Sequence, residues 1–187
     1  EDDSKKMYDL HDLSDDQLLG LYKNKIELNQ DDIEYADYVW QLYCSDNPIR
    51  LENLSDYSEF QFDYLSGAIQ AHLLRFPSIK NGLNAMENNI LQLALDKMPA
   101  DRQIFLSHIL QNQGALGFAD SQYERAIGRL KPLFSSLKPV RLTKKGKEIL
   151  DHKTSYYSCI QDNDVYLGGA LKYNFLYNTQ SNRILKL

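Results

Sequence analysis

Apolar residues in the first two thirds of the chain recur three and four positions apart, the spacing that places side chains on one face of a helix. Three helices are predicted before Pro77: one after Ser14, one from about residue 31 to Pro48, and one over about 58–75. Ser14 opens a capping-box pattern, and the two prolines are expected to stop the second and third helices. The first part of the chain is therefore predicted to be a helical bundle.

Three further helices are predicted in the middle of the chain. Asn84 begins the first of them, and its spacing to Glu87 is that of a second capping box. Asp101 is expected to cap the next helix. The third helix is predicted over 119–133, where apolar residues again follow the helical spacing.

The last part of the chain changes to short extended segments. VRLTKKGKEIL, residues 140–150, predicts a strand, a threonine cap and a terminal helical turn. Residues 155–173 predict two strands around Asp-Asn-Asp, and residues 174–187 predict a hairpin that turns at 179–182. Gly168-Gly169, inside a predicted strand, indicates either a bulge or the close approach of another backbone.

Charge is distributed unevenly along the chain. The net charge is −5, but residues 1–67 have 17 acidic and 5 basic side chains, whereas residues 68–187 have 9 acidic and 16 basic ones. The basic excess is greatest from Arg125 to Lys153, where nine Arg and Lys residues stand against Glu148 and Asp151. This asymmetry favours an anionic partner for the second half, which is either another molecule or the acidic half of the same chain. A solvated surface is the other interpretation.

Several classes of protein are disfavoured by the sequence. No apolar run reaches the roughly 18–20 residues that cross a bilayer, so no membrane partner is expected and the predicted location is cytoplasmic. Cys44 and Cys159 match neither a zinc pattern nor a redox pair, and they are expected to be reduced thiols. The four histidines are scattered and no nucleophile motif is present, so no metal, cofactor or catalytic residue is predicted.

The segment GALGFADSQ, residues 114–122, has two glycines followed by a helix start. Free N–H groups at such a place can bind an anion, but the segment lacks the Lys-Ser/Thr of a P-loop and has Asp120 where an anion would lie. Asp120 or Ser121 is predicted to cap the following helix, with Ser121 and Glu124 as a capping box. A structural turn between two helices is therefore the expected role.

Two helices, a glycine turn, a third helix and a strand that leads into LTKKGKEIL together resemble a winged helix, a helix-turn-helix variant of many bacterial regulators. In that family the third helix, here 119–133, enters the major groove of DNA and the wing contacts the backbone. The resemblance places near bases Ser121, Gln122 and Arg125, and near phosphates Arg129, Lys131, Lys144, Lys145 and Lys147. Winged helices also serve as contacts between proteins, so the resemblance favours the fold more than DNA binding.

A second resemblance covers nearly the whole chain. AHLLRFPS, NGLNAME, GFADSQY, RLTKKGKEIL and YLGG, in this order, resemble the C-terminal part of an uncharacterised bacterial family, domain of unknown function eighteen thirty-five. Its members have a further N-terminal domain, so the chain is expected to be a piece of a longer protein. Where the family has Gly-Phe-Gly-Asp this chain has Gly-Phe-Ala-Asp, which disfavours a phosphate-cradling loop. The resemblance implies no activity, ligand or catalytic residue.

The predicted fold class is α+β and mainly α, in three parts. Residues 1–77 are predicted to be an acidic N-terminal helical bundle, and residues 78–153 a winged-helix-like three-helix unit. Residues 154–187 are predicted to be C-terminal antiparallel β-hairpins packed on that unit.

His72, Arg75 and Asp120 are the residues of a candidate pocket. His72 and Arg75 are three positions apart and share a helix face, and a histidine with an ordinary pKa near ~6.5 can exchange protons at neutral pH. No carboxylate or nucleophile stands at a defined spacing from them. A histidine at the edge of the core is therefore the preferred interpretation, and an enzyme is not favoured.

Three functions follow from these patterns. The first hypothesis is a regulatory winged-helix module that contacts nucleic acid through its basic helix and wing. The second is a protein-interaction or intramolecular scaffold without nucleic-acid binding, whose acidic bundle docks on the basic face or on the missing N-terminal domain. The third and weakest is part of an enzyme that the missing domain completes.

Overall fold

A computed structural model describes residues 13–54, 62–113 and 118–187, and the structural statements below refer to these residues. The eight α-helices and three antiparallel strand pairs of this described part confirm the predicted α+β, mainly helical class. The chain divides into two compact units, Glu1–Asp37 and Tyr38–Leu187.

The first unit has little buried surface among its described residues, 13–37. α1, Asp15–Lys23, has the predicted capping box: Ser14 Oγ accepts the N–H of Gln17, and the Gln17 side chain accepts the N–H of Ser14. None of the residues of α1 is buried. α2 spans Gln30–Tyr43, so the second unit begins within this helix.

The second unit contains the rest of α2 and the remaining elements. Its helices are α3 Ile49–Glu52, α4 Leu65–Leu73, α5 Ala85–Lys97, α6 Arg102–Gln111, α7 Asp120–Arg129 and α8 Lys144–Leu150. Its strands are β1 Phe134–Leu137, β2 Val140–Leu142, β3 Tyr166–Leu167, β4 Ala170–Leu171, β5 Phe175–Asn178 and β6 Arg183–Lys186. Each strand pairs with its neighbour in sequence, which gives three antiparallel hairpins among the described residues. Tyr177 of β5 also forms an isolated parallel bridge with Ser78.

One core of this unit is built from a continuous stretch of chain, and we call it the local core. α5 to α8 and the β1–β2 hairpin surround it. The predicted caps are present, because Asn84 and Glu87 form a capping box and Asp101 accepts the N–H of Ile104. Its fully buried side chains include Leu83, Ile90, Leu91, Phe105, Ile109, Tyr123, Ile127, Leu130, Leu133 and Ile149.

A second core, which we call the assembled core, joins residues 42–76 to residues 167–184. Glu52 of α3 is 3% exposed and accepts hydrogen bonds from the Arg183 guanidinium at 2.9 Å and from the N–H of Ile184. The buried side chains of this core are Leu42, Leu51, Ile69, Leu73, Phe76, Leu167, Ala170, Phe175, Tyr177 and Ile184. The terminal hairpins therefore share their core with residues 42–76, whereas they were predicted to pack on the three-helix unit. The apolar side chains Leu51, Ile69 and Leu73 of α3 and α4 are buried in this core, and a pattern within one segment does not indicate which distant segment will cover them.

The residues around 155–173 differ from their predicted strands. Tyr156–Cys159 is a 3-10 turn, and the Ser155 side chain accepts the N–H of Tyr157 at its start. Gly168 and Gly169 form the turn between β3 and β4, so they lie between two strands and not inside one. Of the two predicted roles, close approach is the observed one: the N–H of Gly169 donates to the carbonyl of Tyr43 at 3.0 Å. A Cβ on Gly169 would lie 1.9 Å from the Cys44 carbonyl oxygen.

The third helix of the three-helix unit is shorter than the predicted 119–133. α7 ends at Arg129, and a 3-10 turn that contains Pro132 follows. The helix begins after Ala119, whose N–H donates to the Gln122 side chain at 2.9 Å, so neither Asp120 nor Ser121 is the cap. The predicted turn role of the glycines in GALGFADSQ falls on residues 114–117, outside the described residues.

Candidate nucleic-acid interface and arginine cleft

α7 is oriented by its buried face. Tyr123 and Ile127 are fully buried in the local core, and the Tyr123 hydroxyl donates to the Gln113 side chain at 3.2 Å. Since the two residues lie four positions apart, they occupy one side of the helix. Arg125 and Arg129 therefore project from another side, and both are exposed.

The end of α7 and the start of α8 are held next to each other. The carbonyl of Leu133 accepts hydrogen bonds from the Thr143 N–H at 2.8 Å and from the Thr143 hydroxyl at 3.2 Å. Gly146 allows this approach, because a Cβ there would lie 2.6 Å from the Leu133 carbonyl oxygen. These contacts join the 3-10 turn that contains Lys131 to the start of α8, where Lys144 lies.

Few carboxylates neutralise this surface. Lys144 pairs with Glu148 at 3.7 Å, Lys153 pairs with Asp151 at 2.9 Å, and Glu124 pairs with Arg102. Seven of the nine cations from residue 125 to 153 form no ion pair with a described residue, and all seven are exposed. They are Arg125, Arg129, Lys131, Lys138, Arg141, Lys145 and Lys147.

The two polar residues that the winged-helix resemblance places near bases have different environments. Ser121 is exposed, and its carbonyl accepts the Nε–H of Arg125 at 3.2 Å. Gln122 is half-buried, and its side-chain oxygen caps the helix at Ala119. The amide nitrogen of Gln122 forms no hydrogen bond with a described residue and remains available as a donor to another partner.

A cavity of about 250 Å³ lies beside this face of α7. Gln122, Arg125 and Arg129 of α7 line it together with Arg75, which follows α4. We call this cavity the arginine cleft. Other residues in its lining are Asn84, Met86, Glu87, Phe118, Tyr166 and Lys172.

Two of the three arginines are held in place by neighbouring groups. The guanidinium carbon of Arg75 lies 5.9 Å from the centroid of the Phe118 ring, a cation–π contact. The Phe118 ring packs edge-on against Tyr123 with centroids 6.0 Å apart, which ties Arg75 to the local core. Arg125 uses its Nε to donate to the Ser121 carbonyl, and its two terminal amino groups form no hydrogen bond with a described residue, so they can bind a ligand.

A buried ion pair forms another part of the cleft lining. Lys172 Nζ lies 2.6 Å from Glu87 Oε1, and the two side chains are 3% and 5% exposed. The second carboxylate oxygen of Glu87 accepts the N–H of Asn84 at 2.8 Å. Both oxygens of Glu87 are therefore occupied, and the net positive charge of the cleft comes from its three arginines.

The predicted pocket residues His72, Arg75 and Asp120 do not line one cavity. Arg75 lines the cleft, whereas Asp120 is exposed at the first turn of α7 and is not part of the lining. His72 lies between the rings of Tyr43 and Phe76, with centroid distances of 5.1 and 5.8 Å. Burial, and to a lesser extent the charge of Arg75, lowers the pKa of His72 to about 4. The imidazole is consequently neutral at pH 7.

Two tyrosines, Tyr156 and Tyr157, have raised pKa values. Burial, with the charge of Glu87 as the next cause, raises the pKa of Tyr156 and of Tyr157 to about 12. In the described ranges, no three His, Cys, Asp or Glu side chains are grouped so that they could hold a metal ion. The chemistry that the arrangement offers is therefore recognition of an anion by guanidinium groups.

Sequence reasoning missed the Glu87–Lys172 pair and the cation–π contact of Phe118 with Arg75. Glu87 was interpreted only as a capping residue, which it also is, and Lys172 was given no partner in the chain. The available signal was a lysine in the otherwise apolar segment GGALKY, next to small residues that permit close packing. Its partner is 85 positions away, and local spacing contains no information about such a pair.

Comparison with known proteins adds no relative: no protein-family model matches the chain, and no curated protein and no solved structure is significantly similar to it. The resemblance to domain of unknown function eighteen thirty-five therefore stays a prediction. Within the described part of the chain, no helix combines the length and the apolar character needed to cross a membrane.

Proposed function

We propose that the protein is a regulatory module of the bacterial cytoplasm that contacts nucleic acid through a winged-helix-like unit, residues 78–153. The observation that carries this proposal is the group of seven exposed cations without an ion-pair partner among the described residues. They lie on α7, the following 3-10 turn, the β1–β2 hairpin and the start of α8. In the proposed complex α7 enters a groove, and the β1–β2 hairpin serves as the wing.

The proposed contacts divide into two kinds. Lys131, Lys145 and Lys147 are assigned to phosphates, which supply most of the affinity and make it depend on salt. Ser121, Gln122 and Arg125 are assigned to base edges, where an arginine favours guanine and a glutamine amide favours adenine. The free amide nitrogen of Gln122 and the free terminal nitrogens of Arg125 are compatible with this assignment.

The test is fluorescence anisotropy of the full chain with labelled duplex and single-stranded DNA, from ~50 to ~200 mM salt. The test variant is Lys131→Gln with Lys145→Gln and Lys147→Gln, because these three lysines are outside the cleft and unpaired among the described residues. Each lost phosphate contact reduces the slope of log K against log salt by about 0.9 on duplex DNA, so the triple variant is expected to lose about 2–3 from that slope.

A matched control removes the same charge from other exposed sites. It is Lys23→Gln with Lys80→Gln and Lys186→Gln, on α1, in the loop after Pro77 and on β6. We expect the control to keep the wild-type slope. Equal slopes for the two triple variants, or no binding of the wild type at ~50 mM salt, would contradict the proposal.

One observation favours a second candidate function, binding to another protein. Described residues of the first unit expose seven large apolar side chains, among them Leu19, Leu21, Tyr22 and Ile26 at 50%, 57%, 65% and 64%. Clusters of exposed apolar side chains mark interaction sites. Absence of nucleic-acid binding at low salt would make this candidate the preferred one.

A further inference from the structure

We propose that the arginine cleft binds the phosphate group of a small phosphorylated molecule. This site is distinct from the proposed nucleic-acid contact at Lys131, Lys145 and Lys147, which are not in the cleft lining. Arg125 and Arg129 belong both to the cleft and to the proposed nucleic-acid surface, whereas Arg75 belongs to the cleft alone.

The charge of the cleft is the first argument. Its lining contains Arg75, Arg125, Arg129 and Lys172, against Glu87 as the single carboxylate among the described residues. Glu87 has one negative charge, and the ammonium group of Lys172 at 2.6 Å balances it. Three guanidinium groups around one cavity therefore remain to be balanced by an anion.

The second argument is the geometry of the donors. Arg75 is held over the Phe118 ring, and Arg125 is held at its Nε by the Ser121 carbonyl. A guanidinium whose position is already defined loses less conformational freedom when it binds. A phosphate monoester has about two negative charges and three acceptor oxygens at neutral pH, which matches three guanidiniums better than a single carboxylate does.

Size and lining define the class of ligand. About 250 Å³ is slightly below the usual range of small-molecule pockets, so the ligand has room for a phosphate and a short organic body. Met86, Phe118 and Tyr166 supply carbon surface beside the charged groups. A small sugar phosphate has this combination of one doubly charged end and a compact body.

The experiment is isothermal titration of the full chain with ribose 5-phosphate at ~50 mM salt in a buffer free of phosphate, with ribose as the matched uncharged probe. We expect wild type to bind ribose 5-phosphate and not ribose. Arg75→Gln is expected to weaken binding about ten- to a hundred-fold, since one charge-assisted bidentate contact is lost, and Arg75→Lys is expected to restore part of it. Arg50→Gln removes an exposed arginine of α3 and is expected to change nothing.

A second variant keeps the test decisive if Arg75→Gln is unstable. Arg125→Gln changes an exposed side chain of α7, and it is also expected to weaken ribose 5-phosphate binding about ten-fold or more. The lysine triple variant described above is expected to bind ribose 5-phosphate like wild type, and Arg75→Gln is expected to keep the wild-type salt slope on DNA. Failure of this proposal is thereby separable from failure of the nucleic-acid proposal.

Three results would overturn the inference. The first is the absence of a titration signal up to ~10 mM ribose 5-phosphate, a concentration at which even a site with a Kd of about 1 mM would be mostly occupied. The second is equal binding of ribose and ribose 5-phosphate. The third is wild-type affinity in both Arg75→Gln and Arg125→Gln.

Discussion

The local core and the assembled core of the second unit are made from the chain in opposite ways. The local core takes its buried side chains from one continuous stretch, Leu83 to Tyr156. The assembled core joins residues 42–76 to residues 167–184, and the whole local core lies between them in sequence. A core of the second kind depends on contacts between distant segments, whose closure has a larger entropic cost.

The difference is also visible in the buried polar groups. The assembled core is closed by Glu52, which binds Arg183 and the N–H of Ile184 more than 130 positions away. Glu87 of the local core binds Lys172, which lies between β4 and β5, and so connects the two cores. Two buried carboxylates, Glu52 and Glu87, thus accept long-range hydrogen bonds, and the Glu87–Lys172 pair is buried on both sides. A substitution that leaves such a buried carboxylate unpaired should have a large effect on stability.

Lys172→Met is expected to have the largest effect on stability. It leaves the buried Glu87 carboxylate without its cation, and removal of one partner of a buried pair typically lowers the free energy of unfolding by about 3–5 kcal/mol. Denaturant titration of the variant and of wild type measures the loss.

The double variant Lys172→Met with Glu87→Gln serves as the control, because the glutamine can still accept the Asn84 N–H without a charge. We expect it to recover most of the stability. A double variant as unstable as the single one would show that packing, and not the unpaired charge, is responsible.

Gly169→Ala tests how the β3–β4 hairpin is attached to the end of α2. The new Cβ would lie 1.9 Å from the carbonyl oxygen of Cys44, so one backbone must move, and we expect a loss of up to about 3 kcal/mol in the free energy of unfolding. Gly128→Ala is the matched control, because Gly128 is exposed on α7 and a Cβ there would have no heavy atom within 4 Å. The control is expected to stabilise by about 0.5–1 kcal/mol, and equal effects of the two variants would contradict the close approach.

Protonation of His72 is expected to make the free energy of unfolding depend on pH, with a smaller effect than the two substitutions above. The pKa of His72 is about 4 in the folded protein, against an ordinary value of 6.5 for a solvated histidine, so the unfolded state takes up a proton first as the pH falls. Stability is therefore lost as the pH falls from about 6.5 towards 4, by about 2 kcal/mol between pH 7 and pH 5.

Urea titrations at pH 7 and pH 5 measure this difference. His72→Phe keeps a ring between Tyr43 and Phe76 and is expected to reduce the pH dependence. His152→Gln changes an exposed histidine and is expected to keep it. If His72→Phe retained the full wild-type difference, another group would be responsible.

Much of the local core was predictable because its signals are local. The caps at Asn84, Asp101 and Thr143 and the strand–helix order of residues 140–150 follow from short patterns, and the structure contains them. Strand β1 was not predicted, since it begins directly after the 3-10 turn at Pro132 and pairs only with β2. The Tyr156–Cys159 turn was mistaken for a strand because aromatic residues are enriched in strands. In the structure the hydroxyl of Tyr156 donates a hydrogen bond to the Arg129 carbonyl.

The candidate site divides in the same way. Charge counting located the basic stretch from Arg125 onwards, because the positions of charged residues can be counted directly along the sequence. Sequence reasoning grouped Arg75 with His72, three positions away on the same helix face, and with Asp120 of the segment GALGFADSQ. The structure places Arg75 with Arg125 and Arg129, which come from an element about fifty positions away.

The sequence by itself determined the helical class, most helix caps, the last hairpin and the separation of acidic from basic halves. All of these depend on residues within a few positions of one another or on composition. Only the tertiary structure decided that the terminal hairpins complete the core of residues 42–76, that Glu87 meets Lys172, and that three arginines line one cleft. These features depend on which distant surfaces pack against each other. The free energy of the whole folded chain determines this packing, so no sequence pattern within a single segment predicts it.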